Sequence, residues 1–162
     1  CKATGVSLRR DILTMEDAGA SDAMIFSDLG IVTTTADNGP ALTRSLLTAL
    51  AKESPDVIVL ELGDGLIGEY GVEAILSDAA IREALTAVIL CANDPVSAWG
   101  GAKILREAFD IEPAVVTGPA TDNAVGVDQI RRRLDIPAVN ALTHGVALGD
   151  LVADLLGNKE AA

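Results

Sequence analysis

Glu61 and Asp64 close the segment Asp56-Val-Ile-Val-Leu-Glu-Leu-Gly-Asp-Gly-Leu66 and stand beside Gly63 and Gly65. Carboxylate oxygens hold hard divalent cations, and glycines let backbone N–H groups come close to a phosphate. The combination points to a metal or phosphate site, while a plain strand-to-helix turn with solvated acids remains the simpler alternative. Residues 57–60 are apolar and carry no charge, which suits a central strand of a parallel sheet, buried on both faces. Ligands bind such sheets beyond the carboxyl ends of the strands, where Glu61, Gly63, Asp64 and Gly65 fall.

Other residues offer weaker chemistry. Asp28 with Gly30 reads as a strand-terminating turn, and Thr33-Thr-Thr35 as a loop, an N-cap or a switch segment. Asn93-Asp94-Pro95 and Thr117-Gly118-Pro119 each follow an apolar run, where they can cap a turn or helix or touch a ligand. Trp99 is a packing residue or a pocket wall. His144 is the only histidine, so a cluster of several histidines on one metal is excluded, no triad pattern accompanies it, and it reads as a surface or core histidine. Ser97 lacks the Gly-x-Ser-x-Gly setting of an α/β-hydrolase nucleophile.

The elements that would position these residues alternate. Helical patterns over 6–20, 40–52, 71–84, 97–109, 122–134 and 149–156 are interleaved with apolar runs at 23–26, 57–62, 87–91, 113–116 and 136–139. Pro40 starts the clearest helix, where Leu42, Leu46, Leu47 and Leu50 recur with helical spacing. This alternation predicts a single α/β domain over 1–156, built as a three-layer, mainly parallel sheet with helices on both faces. The tail 157–162 is expected to be disordered.

Composition narrows the partners. The chain has 162 residues, 49% of them hydrophobic but only 2% aromatic, so its core is aliphatic. Its 12 Lys and Arg against 24 Asp and Glu give a formal charge of −12, which argues against nucleic acid or an anionic membrane as a partner. No apolar run reaches the roughly 18 residues of a membrane span. Cys1 and Cys91 lack Cys-x-x-Cys spacing, Cys91 reads as a small buried residue, and a reducing cytoplasm is expected. Cys1 to Gly5 reads as the end of a strand and the turn after it, so an upstream strand, loop and helix are expected to have been removed.

Taken together, Lys2-Ala-Thr-Gly5, Arg10-Asp11, Phe26-Ser-Asp28-Leu-Gly30, Glu61, Asp64-Gly65, Asn93-Asp94-Pro95 and Thr117-Gly118-Pro119 resemble the dethiobiotin-synthetase and MinD-like branch of P-loop NTPases. In that branch one strand ends in a Lys-Pro-x-x-(Ser/Thr)-Gly turn and a later one in Val-Glu-Gly-Ala-Gly-Gly. The resemblance implies that Lys2 contacts phosphate or substrate and that Asp11 and Glu61 help hold Mg²⁺. It further implies nucleotide contacts from Thr4, Gly5, Asn93, Thr117 and Gly118, with Asp28 and Asp64 one step behind the metal or sensing the γ-phosphate. The activity implied is that of a Mg²⁺-dependent, ATP- or GTP-using ATPase or ligase-like enzyme acting on a small molecule.

One departure limits this. The phosphate loop Gly-x-x-x-x-Gly-Lys-(Ser/Thr) occurs nowhere in the chain. Mg²⁺ and ATP or GTP are therefore expected only in an intact protein that supplies it. The chain is expected with its own amino-terminal fragment or as a homodimer. Two alternatives stay open: a non-catalytic ligand-binding or assembly module, and a Rossmann-type domain carrying Gly63-Asp-Gly65-Leu-Ile-Gly68 as its dinucleotide fingerprint.

Overall fold

A computed structural model describes residues 1–160. The chain divides into two compact units, the first being Cys1–Glu83 and the second beginning at Ala84.

In the first unit, β1 (Lys2–Thr4) pairs in parallel with β2 (Glu61–Leu62), setting Lys2 opposite Glu61 and Thr4 opposite Leu62. The Cys1 nitrogen donates to Val59 O at 2.6 Å, and Glu61 N donates to Cys1 O at 2.8 Å. On the other edge of β1, Lys2 N donates to Met24 O at 2.9 Å and Lys2 bridges Ile25 in parallel. The helices are α1 (Arg9–Asp17), α2 (Gly39–Ala51), α3 (Val72–Ser77) and α4 (Ala79–Ala84), with a 3₁₀ turn at Phe26–Leu29.

The core follows from helical spacing. Leu42, Leu46 and Leu50 of α2 lie on one face, and they are buried with Cys1, Ala3, Ile12, Ile25 and Phe26. Leu46 is fully buried, so its truncation to Ala costs roughly 2–5 kcal/mol. Asp78 separates α3 from α4 within the helix expected over 71–84. One of its carboxylate oxygens caps α4 by accepting from Ile81 N at 3.1 Å, and the other meets Arg44 of α2.

In the second unit, β3 (Ile89–Cys91) and β4 (Val115–Thr117) pair in parallel, with Ala138 bridged to Val116. Helix α5 (Pro95–Phe109) is capped by Asp94, whose Oδ1 accepts from Val96 N and Ser97 N. It packs against α6 (Ala124–Leu134), which Asn123 caps through Gly126 N. Helix α7 spans Gly145–Glu160, and residues 161–162 of the expected disordered tail lie outside the described residues. No described helix is long and apolar enough to cross a membrane.

The expected three-layer, mainly parallel sheet with helices on both faces does not form. Among the described residues there are two separate two-stranded parallel sheets, β1–β2 and β3–β4, with single bridges at Ile25 and Ala138. Helices dominate the rest. The run 57–60 shows why apolar residues alone did not make a central strand. Ile58, Leu60 and Leu62 pack on the core, whereas Val57 and Val59 point outward at 47% and 73% exposure. The run is thus buried on one face, and β2 has only β1 as a strand neighbour among the described residues. Without a ladder on its second edge, most of the run lies outside regular strand. Cys91 is also exposed rather than buried, while Cys1 is the buried thiol.

Candidate functional site

Strands β1 and β2, with the turns after them and the start of α1, gather Lys2, Thr4, Gly5, Asp11, Glu61 and Asp64, all picked out in the sequence. Because Lys2 and Glu61 are register partners and adjacent residues of a strand face opposite sides, both project away from the core that receives Ala3 and Leu62. Lys2 Nζ lies 3.3 Å from Glu61 Oε1 and donates to Asp11 Oδ2 at 3.0 Å. Asp11 reaches it from the first turn of α1, a helix anchored by buried Ile12. Just beyond, Thr4 Oγ1 donates to Gly63 O at 3.2 Å. A Cβ at Gly63 would stand 2.9 Å from Thr4 O, and one at Gly5 would stand 2.8 Å from Asp64 Oδ2. Side chains at Gly5 or Gly63 would push these two strand ends apart; the glycines let them touch.

Charge is concentrated here, with the Lys2–Asp11 pair partly shielded from solvent and Glu61 open to it. The Lys2 and Asp11 side chains are 12% and 19% exposed, and Glu61 is 46% exposed. Burial works against the Lys2 ammonium, but the Asp11 hydrogen bond and the Glu61 charge outweigh it and raise its pKa above the ordinary 10.5. The hydrogen bond from Lys2 holds the Asp11 carboxyl below the ordinary 3.8. Besides Lys2, the exposed Arg10 guanidinium stands 3.8 Å from Asp11 Oδ1.

The donor set fits a Mg²⁺ ion better than it fits a nucleotide. Mg²⁺ is commonly held by one or two carboxylates, with phosphate and water supplying the rest, and Asp11 and Glu61 provide two converging on one point. Among the described residues no group of three or more His, Cys, Asp and Glu is arranged to hold a metal by itself. Lys2 now occupies the place between the carboxylates and would have to yield it. A triphosphate finds no cradle: the loop of backbone N–H groups is missing from the sequence.

The remaining expected residues are placed otherwise. Asp28 Oδ2 accepts from Ile25 N at 2.9 Å, which closes its own 3₁₀ turn. In the second unit, Thr117 Oγ1 accepts from Ala141 N at 3.1 Å, Gly118 O accepts from Thr121 Oγ1 at 2.7 Å, and Asn93 is exposed just after β3. Asn140, unmarked by any sequence motif, organises that end. Its Oδ1 accepts from Leu142 N and Thr143 N, and its Nδ2 donates to Asp122 Oδ1 at 2.9 Å. The dinucleotide fingerprint lacks its helix, because the chain after Gly68 turns through Gly71 and α3 begins only at Val72. Two cavities of the first unit, about 470 and 690 Å³, are lined without Lys2, Asp11 or Glu61.

No protein-family model matches the chain, and no solved structure matches it.

Proposed function

We propose that this chain is the carboxyl-terminal part of a Mg²⁺-nucleotide-dependent ATPase or ligase-like enzyme of the P-loop kind, acting on a small molecule. The observation that carries this reading is the meeting of Lys2, Asp11 and Glu61 on two adjacent parallel strands. Thr4-Gly5 and Gly63-Asp64 close those strands at their carboxyl ends, where ligands of α/β proteins bind. Asp11 and Glu61 would hold the metal and its waters, and Lys2 would steady phosphate or an acidic substrate. Thr4 and Gly5 would shape the turn beneath them, and Asp64 would stand behind. Asn93, Thr117 and Gly118 would contact the nucleotide. Chemistry of this class needs positioning and charge stabilisation more than a strong nucleophile, and the cluster offers just those.

The phosphate loop must come from another segment, the chain's own amino-terminal fragment being the partner we favour over a homodimer. Outward-facing Val57 and Val59 supply apolar surface for such a contact. Cys1 and Cys91 lack Cys-x-x-Cys spacing, which accords with a reducing cytoplasm. A non-catalytic module is the second reading, favoured by the way Asp11 and Glu61 already satisfy Lys2.

Calorimetry with Mg-ATP and Mg-GTP separates the two when run on this chain and on the polypeptide extended through the sequence encoded ahead of Cys1. Little affinity for the first and tight binding by the second supports the enzyme. Low-micromolar binding by the isolated chain, or none by the extended one, contradicts it.

A further inference from the structure

The point between Asp11 and Glu61 is already filled by a cation of the chain's own. Lys2 Nζ donates to Asp11 Oδ2 at 3.0 Å and stands 3.3 Å from Glu61 Oε1, on a side chain only 12% exposed. We propose that Lys2 is a built-in stand-in for the metal. Mg²⁺ entering between the two carboxylates displaces the ammonium, which is then free to meet an anion bound beyond the strand ends. Metal entry thus turns Lys2 from a plug into an anion-binding group, with the metal first and the anion second. This inference rests on the reading of Asp11 and Glu61 as metal carboxylates and adds to it the control of that site.

The exchange follows from size and charge. Mg²⁺ takes oxygen ligands at about 2.0–2.1 Å, closer than Nζ now lies to either carboxylate oxygen. An ammonium and a divalent ion at one partly shielded point repel each other strongly, so one must leave. Lysine is suited to leaving, because its compact charge rides on a flexible four-carbon stem, whereas an arginine fork would lock onto a carboxylate. Two carboxylates hold Mg²⁺ weakly, and no third acidic, thiol or imidazole ligand is grouped with them among the described residues. Whether Lys2 stays or goes therefore decides occupancy.

Only the lysine stem has to move. Glu61 is fixed on β2, where its N donates to Cys1 O at 2.8 Å, and Asp11 on α1, anchored by buried Ile12. A Cβ at residue 63 would lie 3.5 Å from Lys2 Cε and 3.7 Å from Glu61 Oε1. Glycine there leaves that side of the stem without a neighbouring side chain. Arg10 does not play the same part: its Nε is 3.8 Å from the other Asp11 oxygen, on a side chain 80% exposed. It adds charge nearby without occupying the point.

The test follows the Lys2 ammonium itself, in the 162-residue chain labelled with ¹⁵N and ¹³C and titrated with MgCl₂ at about 0.15 M salt. We expect the Lys2 ¹⁵Nζ and ¹³Cε signals to move saturably from those of a paired ammonium to those of a free lysine, together with amide shifts at residues 2, 11 and 61. Lys2→Met should bind Mg²⁺ about tenfold more tightly than the wild type, the worth of one charged hydrogen bond. Arg10→Gln, which removes a cation without opening the point, should tighten binding only about twofold, as for an exposed pair. Amide shifts at unmoved Lys2 signals, or equal tightening by the two variants, would overturn the exchange and leave the metal reading in place. No saturable change in any of the three chains would overturn both.

Discussion

Lys2 and Glu61 are register partners on neighbouring parallel strands, and their side chains meet at 3.3 Å. The contact is therefore a property of the sheet and not of two flexible surface charges. A slip of one residue in either strand would send its side chain to the opposite face and dissolve the cluster. Asp11 adds a third charge from a different element, so β1, β2 and α1 must all be in place for the site to exist.

The first prediction concerns pH. Asp11 has a folded pKa below 3.8, so its contribution is present above that value and is lost as pH falls through the lower folded one. Lys2 behaves oppositely, contributing fully below 10.5 and losing that contribution as pH rises through its raised pKa. Urea unfolding of the chain and of Asp11→Asn should show a stability gap that is steady near neutrality and closes below about pH 3.8. A gap that persists unchanged into strong acid would mean that the Lys2–Asp11 bond does not act in solution.

Gly63→Ala should destabilise by about 1–3 kcal/mol, the usual range for overpacking, because its Cβ would lie 2.9 Å from Thr4 O. Gly100→Ala, in α5 with open space around its Cβ, should instead stabilise by about 0.5–1 kcal/mol. Thermal melts of both variants check the contrast. Equal effects would show that the β1 and β2 ends do not approach as described.

The outward valines predict association. Val57 and Val59 are 47% and 73% exposed beside a strand with one neighbour. Sedimentation of the purified chain should find a dimer or a co-purifying amino-terminal fragment, and Val59→Asp should remove the association without altering the circular dichroism. A wild-type chain that sediments as a lone monomer contradicts this.

The sequence carried the local site further than the architecture. Glu61 and Asp64 were legible because acids and glycines follow an apolar run, whereas Lys2, Thr4, Gly5 and Asp11 were picked out only through the family resemblance; the structure brings these six close together. The sheet was misread because residues 57–60 are uniformly apolar, a pattern that one-sided and two-sided burial share. Only the neighbours on each strand edge decide between them, and no local pattern reports those. Helix α2 was placed well by its leucine spacing, whereas the helix expected over 71–84 breaks at Asp78, which caps α4 through Ile81 N.

The most direct measurement is nucleotide hydrolysis by the polypeptide extended through the sequence encoded ahead of Cys1, with Lys2→Ala, Asp11→Asn and Glu61→Gln compared against it. Each variant should lower kcat by about 100- to 1,000-fold, the range for losing one preorganised charge at a reacting centre, while Asp28→Asn, at a carboxylate engaged by Ile25 N, should change it far less. Hydrolysis that is indifferent to Glu61 and Lys2, or an extended polypeptide with neither a Gly-Lys-(Ser/Thr) loop nor nucleotide affinity, would contradict the assignment of this cluster to a Mg²⁺-nucleotide site.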